Sequence, residues 1–238
     1  KNQDIYCIEA NPRGSRTLPF LSKAYGISLP QLAVDAMLGE TISPWDRETS
    51  NHFCVKQSTF PFDRYLDDNI ILGPRMRSTG ETLGIDKVKE SAIVKSYLGN
   101  YPNINKTGVI LFSLPNHSKA FIIPYLRPLH KLGYQFIGTS GTSDFIRKQG
   151  VDCKKVDKID ETVTGTGILE TIKSDSIQMV FNIPSNSGQS QPEGEYIRNM
   201  ATIHGIPCFT RVENIKALME ALIGHDQTLM PISLQELN

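Results

Sequence analysis

Apolar and polar positions follow two different rhythms along this chain. From about Thr107 onward, short β-branched or aromatic runs alternate with segments of helical spacing. KTGVILFSL, YQFIGTS, CKKVDKI, IQMVFNIP and IPCFTR predict five strands, the polar third one at a sheet edge. SKAFIIPYLRPLHKLG, GTSDFIRKQG, GTGILETIKSD, EYIRNMATIHG and VENIKALMEALIG predict the helices between and after them. Pro124 and Pro128 should shorten or kink the first of these, and Gly133 should end it. Strands separated by helices imply right-handed crossovers and a parallel sheet covered on both faces, a three-layer α/β/α domain.

The pattern before Thr107 is less regular. DIYCIEANP reads as a strand, LPFLSKAYG and LPQLAVDAMLGE as helices, HFCVKQSTFPF as a strand, and KVKESAIVKSYLGNY as a helix stopped by Gly99-Asn100. Between the last two lies an irregular stretch from Asp63 to Gly84. So long a connection points to function or to missing surroundings, and the expectation here is the tail of a larger domain.

Composition narrows the partners. The 238 residues carry 25 Lys+Arg and 25 Asp+Glu, so formal charge is zero. A broad nucleic-acid or anionic-membrane surface is not expected, whereas a local phosphate pocket remains open. No apolar run approaches the roughly 18 residues of a membrane span. The opening residues lack the pattern of a secretion signal, and Cys7, Cys54, Cys153 and Cys208 form no CxxC pair. Free thiols and a cytoplasmic location are the expectation. The signatures GxGxxG, GxxxxGK[ST], HExxH and GxSxG do not occur.

Two motifs carry candidate chemistry. In the extended EANPRGSR segment Glu9 and Asn11 sit two apart, on one face of a strand end, as two oxygen ligands for a hard cation. Arg13 and Arg16 follow and could hold phosphates; solvated charges at a strand end are the plainer alternative. The second motif is Thr139-Ser140-Gly141-Thr142 between a strand and a helix, where hydroxyls and free N–H groups suit a phosphate, or merely cap the helix. Ser113 and Lys119 bracket the preceding strand-to-helix loop, Lys158 ends the third strand, and Asn182 ends the fourth. Together they would face one crevice beyond the carboxyl ends of the strands. Glu81 and Asp86 are considered as paired carboxylates or as solvated loop charges.

IEANPRGSRTLPFLSKAYGISL, VKQSTFPFDRY and ILGPRMRSTGETLGID together resemble the end of the carbamoyl-phosphate synthetase large subunit. The resemblance makes residues 1–101 an α+β remnant of an ATP-grasp, carbamate-phosphorylating unit. It makes residues 102–238 an allosteric domain of methylglyoxal-synthase-like fold, with strands in the order 3-2-1-4-5. It implies Glu9 and Asn11 as ligands of the Mg²⁺ or Mn²⁺ that accompanies ATP, and Arg13 and Arg16 as arginines beside the transferred phosphate. It implies Ser113, Lys119, Thr139, Ser140, Gly141, Thr142, Lys158 and Asn182 as an effector pocket.

The rest of the ATP-grasp unit, including its glycine-rich phosphate loop, is missing from the sequence, so a fragment inactive by itself is expected. The implied partners are the remainder of the large subunit, a glutaminase small subunit, and a phosphorylated effector (UMP, IMP, UTP or phosphoribosyl pyrophosphate). Members activated by acetylglutamate carry tryptophan where Lys158 aligns, and the only tryptophan here is Trp45, although Asn182-Ile183-Pro184 also resembles that group. A free-standing methylglyoxal-synthase-like lyase would need carboxylates in the pocket, where Asp144 is the nearest acid in sequence. A self-associating, homo-oligomeric module is the third reading.

Overall fold

The computed structural model describes residues 6, 7, 9–42, 51–62, 71, 76–156, 172, 177–185, 190–225, 228–231 and 233. The chain forms two compact units, Lys1–Asn51 with Pro231–Asn238, and His52–Met230. The second runs across the 101/102 boundary that resemblance drew.

In the first unit, helices α1 (Thr17–Tyr25) and α2 (Leu29–Met37) meet at a corner. Gly26, with φ 65°, ends α1, a left-handed conformation that suits a residue without Cβ. The Ser28 hydroxyl accepts from the Gln31 N–H and caps α2. The Ser22 hydroxyl accepts from the Leu29 N–H at 3.2 Å and fixes the turn. No strand forms among the described residues of DIYCIEANP, 6, 7 and 9–12, which are irregular; 4, 5 and 8 lie outside the described residues. A strand needs a neighbour for its backbone groups, and no described segment pairs with this one.

The second unit opens with an antiparallel hairpin, β1 (Phe53–Thr59) and β2 (Gly80–Asp86), in register Phe53↔Asp86 through Thr59↔Gly80. Part of the stretch expected to be irregular is therefore a strand; residues 63–70 and 72–75 lie outside the described residues. Helix α3 (Lys89–Leu98) packs on β2, and Lys95 Nζ closes the pair with Asp86 Oδ2 at 2.7 Å. Glu81 faces Lys56 at 3.6 Å, so Glu81 and Asp86 each pair with a lysine rather than with one another.

The main sheet holds β3 (Val109–Ser113), β4 (Gln135–Thr139), β5 (Lys154–Val156), β6 (Ile177–Asn182) and β7 (Cys208–Phe209). They run in the order β5-β4-β3-β6-β7 with every pairing parallel, the expected 3-2-1-4-5 arrangement. The two-residue side-chain period divides the core between the faces. Ile110, Phe112, Phe136, Met179 and Phe181 pack with Leu126, Leu129 and Ile146 on one face. Leu111, Ile137 and Val180 pack with Ile197 and Ala201 on the other.

A 3₁₀ segment (Asn116–Ile122) leads into α4 (Ile123–Lys131), with Pro124 in the first turn and Pro128 inside. The expected single helix is thus divided just before Pro124. α5 (Ser140–Lys148), α6 (Ser190–Ile203) and α7 (Val212–Gly224) complete the layers. The helix expected over GTGILETIKSD lies outside the described residues except for Ile172, which is helical and buried.

A row of aromatic rings crosses the sheet. Tyr97 of α3 meets Phe209 at 5.5 Å between centroids, Phe209 meets Phe181 at 5.8 Å, Phe181 meets Phe112 at 5.3 Å, and Phe112 meets Phe136 at 5.6 Å. Every contact is edge-to-face, with interplanar angles of 70–79°.

Candidate functional site

β3 and β4 pair side by side, and β6 flanks β3 on the other side, so the order in which successive strands are added reverses at β3 while all of them stay parallel. The carboxyl ends of these strands bring Ser113, Thr139 and Asn182 to one cleft of about 170 Å³. Ser113 and Asn182 are register partners, and the Ile183 N–H donates to the Ser113 carbonyl at 3.2 Å. Thr139 occupies the N-cap position of α5 but makes no capping hydrogen bond through its side chain. Among the described residues no side chain caps the first N–H groups of α5, an arrangement that suits an anion.

Lys119 belongs to the same neighbourhood although it is only 7 % exposed. Its ammonium donates to Gly141 O at 2.6 Å and to Asn116 Oδ1 at 2.7 Å. Burial pulls its pKa below the ordinary lysine value, against the opposing pull of Asp144. Thr142 is buried and serves the scaffold. Its hydroxyl accepts from the Leu114 N–H at 3.2 Å, donates to Leu114 O at 3.3 Å, and lies 3.3 Å from the Thr139 hydroxyl. It therefore latches the loop after β3 to the start of α5. The Ser140 carbonyl accepts from the Ser143 hydroxyl at 3.0 Å, and Gly141 is exposed. Lys158 lies outside the described residues.

The close approach of α5 to β4 depends on Gly138. A Cβ there would sit 2.9 Å from Ser143 N, 3.2 Å from Ser143 Cα and 3.3 Å from Cys153 Sγ. Gly138→Ala is expected to push the start of α5 outward and to lower stability by about 1–3 kcal/mol. A calorimetric melt checks the stability, and a ligand titration should show weaker anion binding in the same variant.

Three charged cleft residues were missed by the sequence reasoning: Glu193, Glu195 and Arg198, all on α6. Arg198 is 3 % exposed, and its Nη1 donates to Asn182 Oδ1 at 2.7 Å. Its Nε is buried without a hydrogen-bond partner among the described residues. Burial lowers its pKa, while Cys208 and Glu195 act in the opposite direction. A signal existed: Gly194, Ile197, Arg198 and Ala201 fall at i, i+3, i+4 and i+7, which puts an arginine in the inward stripe.

The other motif lies in the first unit. Asn11 Nδ2 donates to Glu9 Oε1 at 3.2 Å, and the Arg13 N–H donates to Asn11 O at 2.8 Å. Glu9, Asn11, Arg13 and Arg16 are all exposed on the segment that enters α1. All four cysteines are free, and burial pushes the Cys153 and Cys208 thiols up to about 12, which leaves them protonated and inert near neutral pH. No helix among the described residues is long and apolar enough to cross a membrane.

Within this parallel sheet and its helical layers, residues 121–210 match the family of MGS-like domains. The chain as a whole is a relative of one part of the carbamoyl phosphate synthase large chain. It is 33% identical over 222 residues to that protein of Clostridium botulinum (strain Loch Maree / Type A3), a match over 91% of this chain and 21% of the relative. It is 32% identical over 231 residues to that of Rhodopirellula baltica, over 96% of this chain and 21% of the relative. The chain thus spans about a fifth of the length of the curated relatives it matches.

Proposed function

We propose that this chain is the C-terminal, regulatory part of a carbamoyl phosphate synthase large chain. In this reading a small phosphorylated effector (UMP, IMP, UTP or phosphoribosyl pyrophosphate) binds the cleft and sets the rate of carbamoyl phosphate formation for pyrimidine or arginine biosynthesis. The observation that carries it is convergence: Ser113, Thr139 and Asn182 arrive from three strand ends at the uncapped start of α5, where the Lys119 ammonium also lies. Free N–H groups, hydroxyls and an ammonium together favour a phosphate. The effector would act by binding two states of the parent enzyme unequally.

The parent would be a cytoplasmic, glutamine-hydrolysing, ATP-dependent C–N ligase, and this chain alone would be inactive. Its partners would be the remainder of the large subunit and a glutaminase small subunit. Val34, Met37 and Leu38 are 48%, 83% and 73% exposed, which supports a covering partner for the α2 face. A second copy of the chain would give a homo-oligomer. Glu9 and Asn11 fit Mg²⁺ or Mn²⁺ as two of several oxygen ligands, since their side chains already meet and turning over the Asn11 amide would present its oxygen. The ion would neutralise ATP phosphate charge, and Arg13 and Arg16 would hold the transferred phosphate from the following loop.

Calorimetric titration of the whole chain with UMP, IMP, UTP, phosphoribosyl pyrophosphate and acetylglutamate tests the regulatory reading. Saturable binding of a phosphorylated compound is expected. Binding of acetylglutamate alone would overturn the phosphate assignment. Binding of none would leave self-association as the role, to be read from mass in solution. A second reading has one observation in its favour: the carboxylates of Glu193 and Glu195 line the cleft, where a methylglyoxal-synthase-like lyase needs a base. Phosphate release from dihydroxyacetone phosphate would support it.

A further inference from the structure

A second concavity lies at the opposite edge of the parallel sheet from the cleft. Arg127, His130, Lys131, Arg147, Gly150 and Asp152 line a space of about 510 Å³ between the last turns of α4 and α5 and the turn into β5. Both helices end at this amino edge, where β4 and β5 begin. β5 finishes at Val156 on the carboxyl edge, and Ile172, the next described residue, packs on the other face of the sheet. Among the described residues, this hollow and the cleft have no lining residue in common.

Cations gather at helix C-termini for a plain reason: the last carbonyls are the negative end of the macrodipole. Here backbone groups already occupy those carbonyls. The N–H groups of Leu132, Gly133 and Tyr134 donate to Pro128, His130 and Leu129 O, and those of Gln149 and Gly150 donate to Ile146 and Arg147 O. Each arginine then spends one strong donor on the scaffold. Arg127 Nη2 donates to Gln149 O at 3.3 Å, and Arg147 Nε donates to Cys153 O at 2.8 Å. Asp144 lies 3.8 Å from Arg147 Nη1, a long and exposed pair of little strength. Lys131 makes no hydrogen bond or ion pair among the described residues. Gly150 keeps the space open: its φ is 73°, and a Cβ there would come 3.4 Å from Arg127 Nη2.

Among the described residues the lining sets Arg127, Lys131 and Arg147 against Asp152. Counting Asp144 as a second acid still leaves the balance positive. Guanidinium forks match phosphate oxygens two at a time, and a guanidinium already held in place loses little further freedom on binding. An anion with two adjacent phosphates can address more than one of these cations at once. We propose that this hollow is a second anion site, independent of the cleft, for compounds that carry adjacent phosphates: pyrophosphate itself or the tail of a nucleoside diphosphate.

The test is calorimetric titration of the chain in its Lys119→Met form, in which the cleft lacks its ammonium, with inorganic pyrophosphate and no divalent ion. Pyrophosphate should bind saturably and at least tenfold more tightly than orthophosphate. In the same background K131M should weaken it about fivefold and R127M/K131M at least thirtyfold, as expected of partly exposed charge-assisted contacts. Thermal melts read the fold, and K131M, which has no described partner to lose, stands in should the double substitution unfold the chain. Cations that serve only the helix ends would give variants that melt earlier and bind pyrophosphate as before, which overturns the proposal. Pyrophosphate that binds no better than orthophosphate overturns it too, since any diffuse positive surface would do as much. UDP separates the two sources: affinity equal to that of pyrophosphate assigns the nucleotide tail, and affinity tenfold weaker assigns the free anion. The cleft is read separately, by UMP and the wild-type chain, so either site can fail without the other.

Discussion

Lys119→Met is expected to weaken UMP binding by roughly a hundredfold while moving the melting temperature by only a few degrees. An ammonium has three donors, and two are occupied by Gly141 O and Asn116 Oδ1. The third is left for a ligand at the start of α5. Held in place by two carbonyl oxygens, this cation loses little further freedom when an anion arrives, so its contribution to affinity should be large. The cost to the fold should be small. Methionine keeps most of the stem's volume, and it removes a charge that burial already penalises. Calorimetry measures the affinity and a thermal melt the fold. Wild-type UMP affinity in a folded Lys119→Met chain would remove the lysine from the site.

Gly84→Ala is expected to have the larger effect on stability, about 3–5 kcal/mol, seen as a fall of roughly 10 °C or more in a circular-dichroism melt. The reason is steric. A Cβ at Gly84 would lie 2.0 Å from Ala92 O, 2.5 Å from Ser96 N and 3.0 Å from Ser96 Cα. All three are backbone atoms of α3, so no side chain can turn aside and the whole helix must lift. Lifting it would strip packing from Ala92, Val94 and Tyr97, which are 0%, 0% and 5% exposed. Gly80 in the same strand is the control. A Cβ there would come no closer than 4.0 Å to Thr59 Cβ, and Gly80→Ala should be nearly silent. Equal melting of the two variants would show that α3 does not depend on this approach.

The parallel sheet was legible because each buried strand is a short apolar run between polar punctuation, whereas the order of its strands was implied by the family resemblance alone. β2 was not legible. Gly80 and Gly84 are poor strand formers that read as breakers, and the strand exists because β1 pairs with it and α3 needs the space over Gly84. The reverse case is the described part of residues 4–12, which resembles a strand by composition but finds no ladder among the described residues.

In the cleft, Ser113, Thr139 and Asn182 were found by position alone, since the ends of parallel strands beside a reversal of order point into a crevice. Thr142 lies beside Thr139 but is buried, and its role as a latch to Leu114 depends on hydrogen bonds that sequence does not display. Glu193, Glu195 and Arg198 come from the far side of the crossover, on a helix whose rotation is decided by packing against β6 and β7. That is why their charges escaped notice.

The ring row across the sheet has a mechanical consequence. Rings in edge-to-face contact at 5.3–5.8 Å interlock, and close-packed interiors do not yield gradually. None of the three inner rings, Phe209, Phe181 and Phe112, can flip without a breathing motion of its neighbours. Slow ring flips shared along the row would mark this stretch as a stiff girder, running from α3 at one edge to β4, the strand that delivers Thr139 to the cleft.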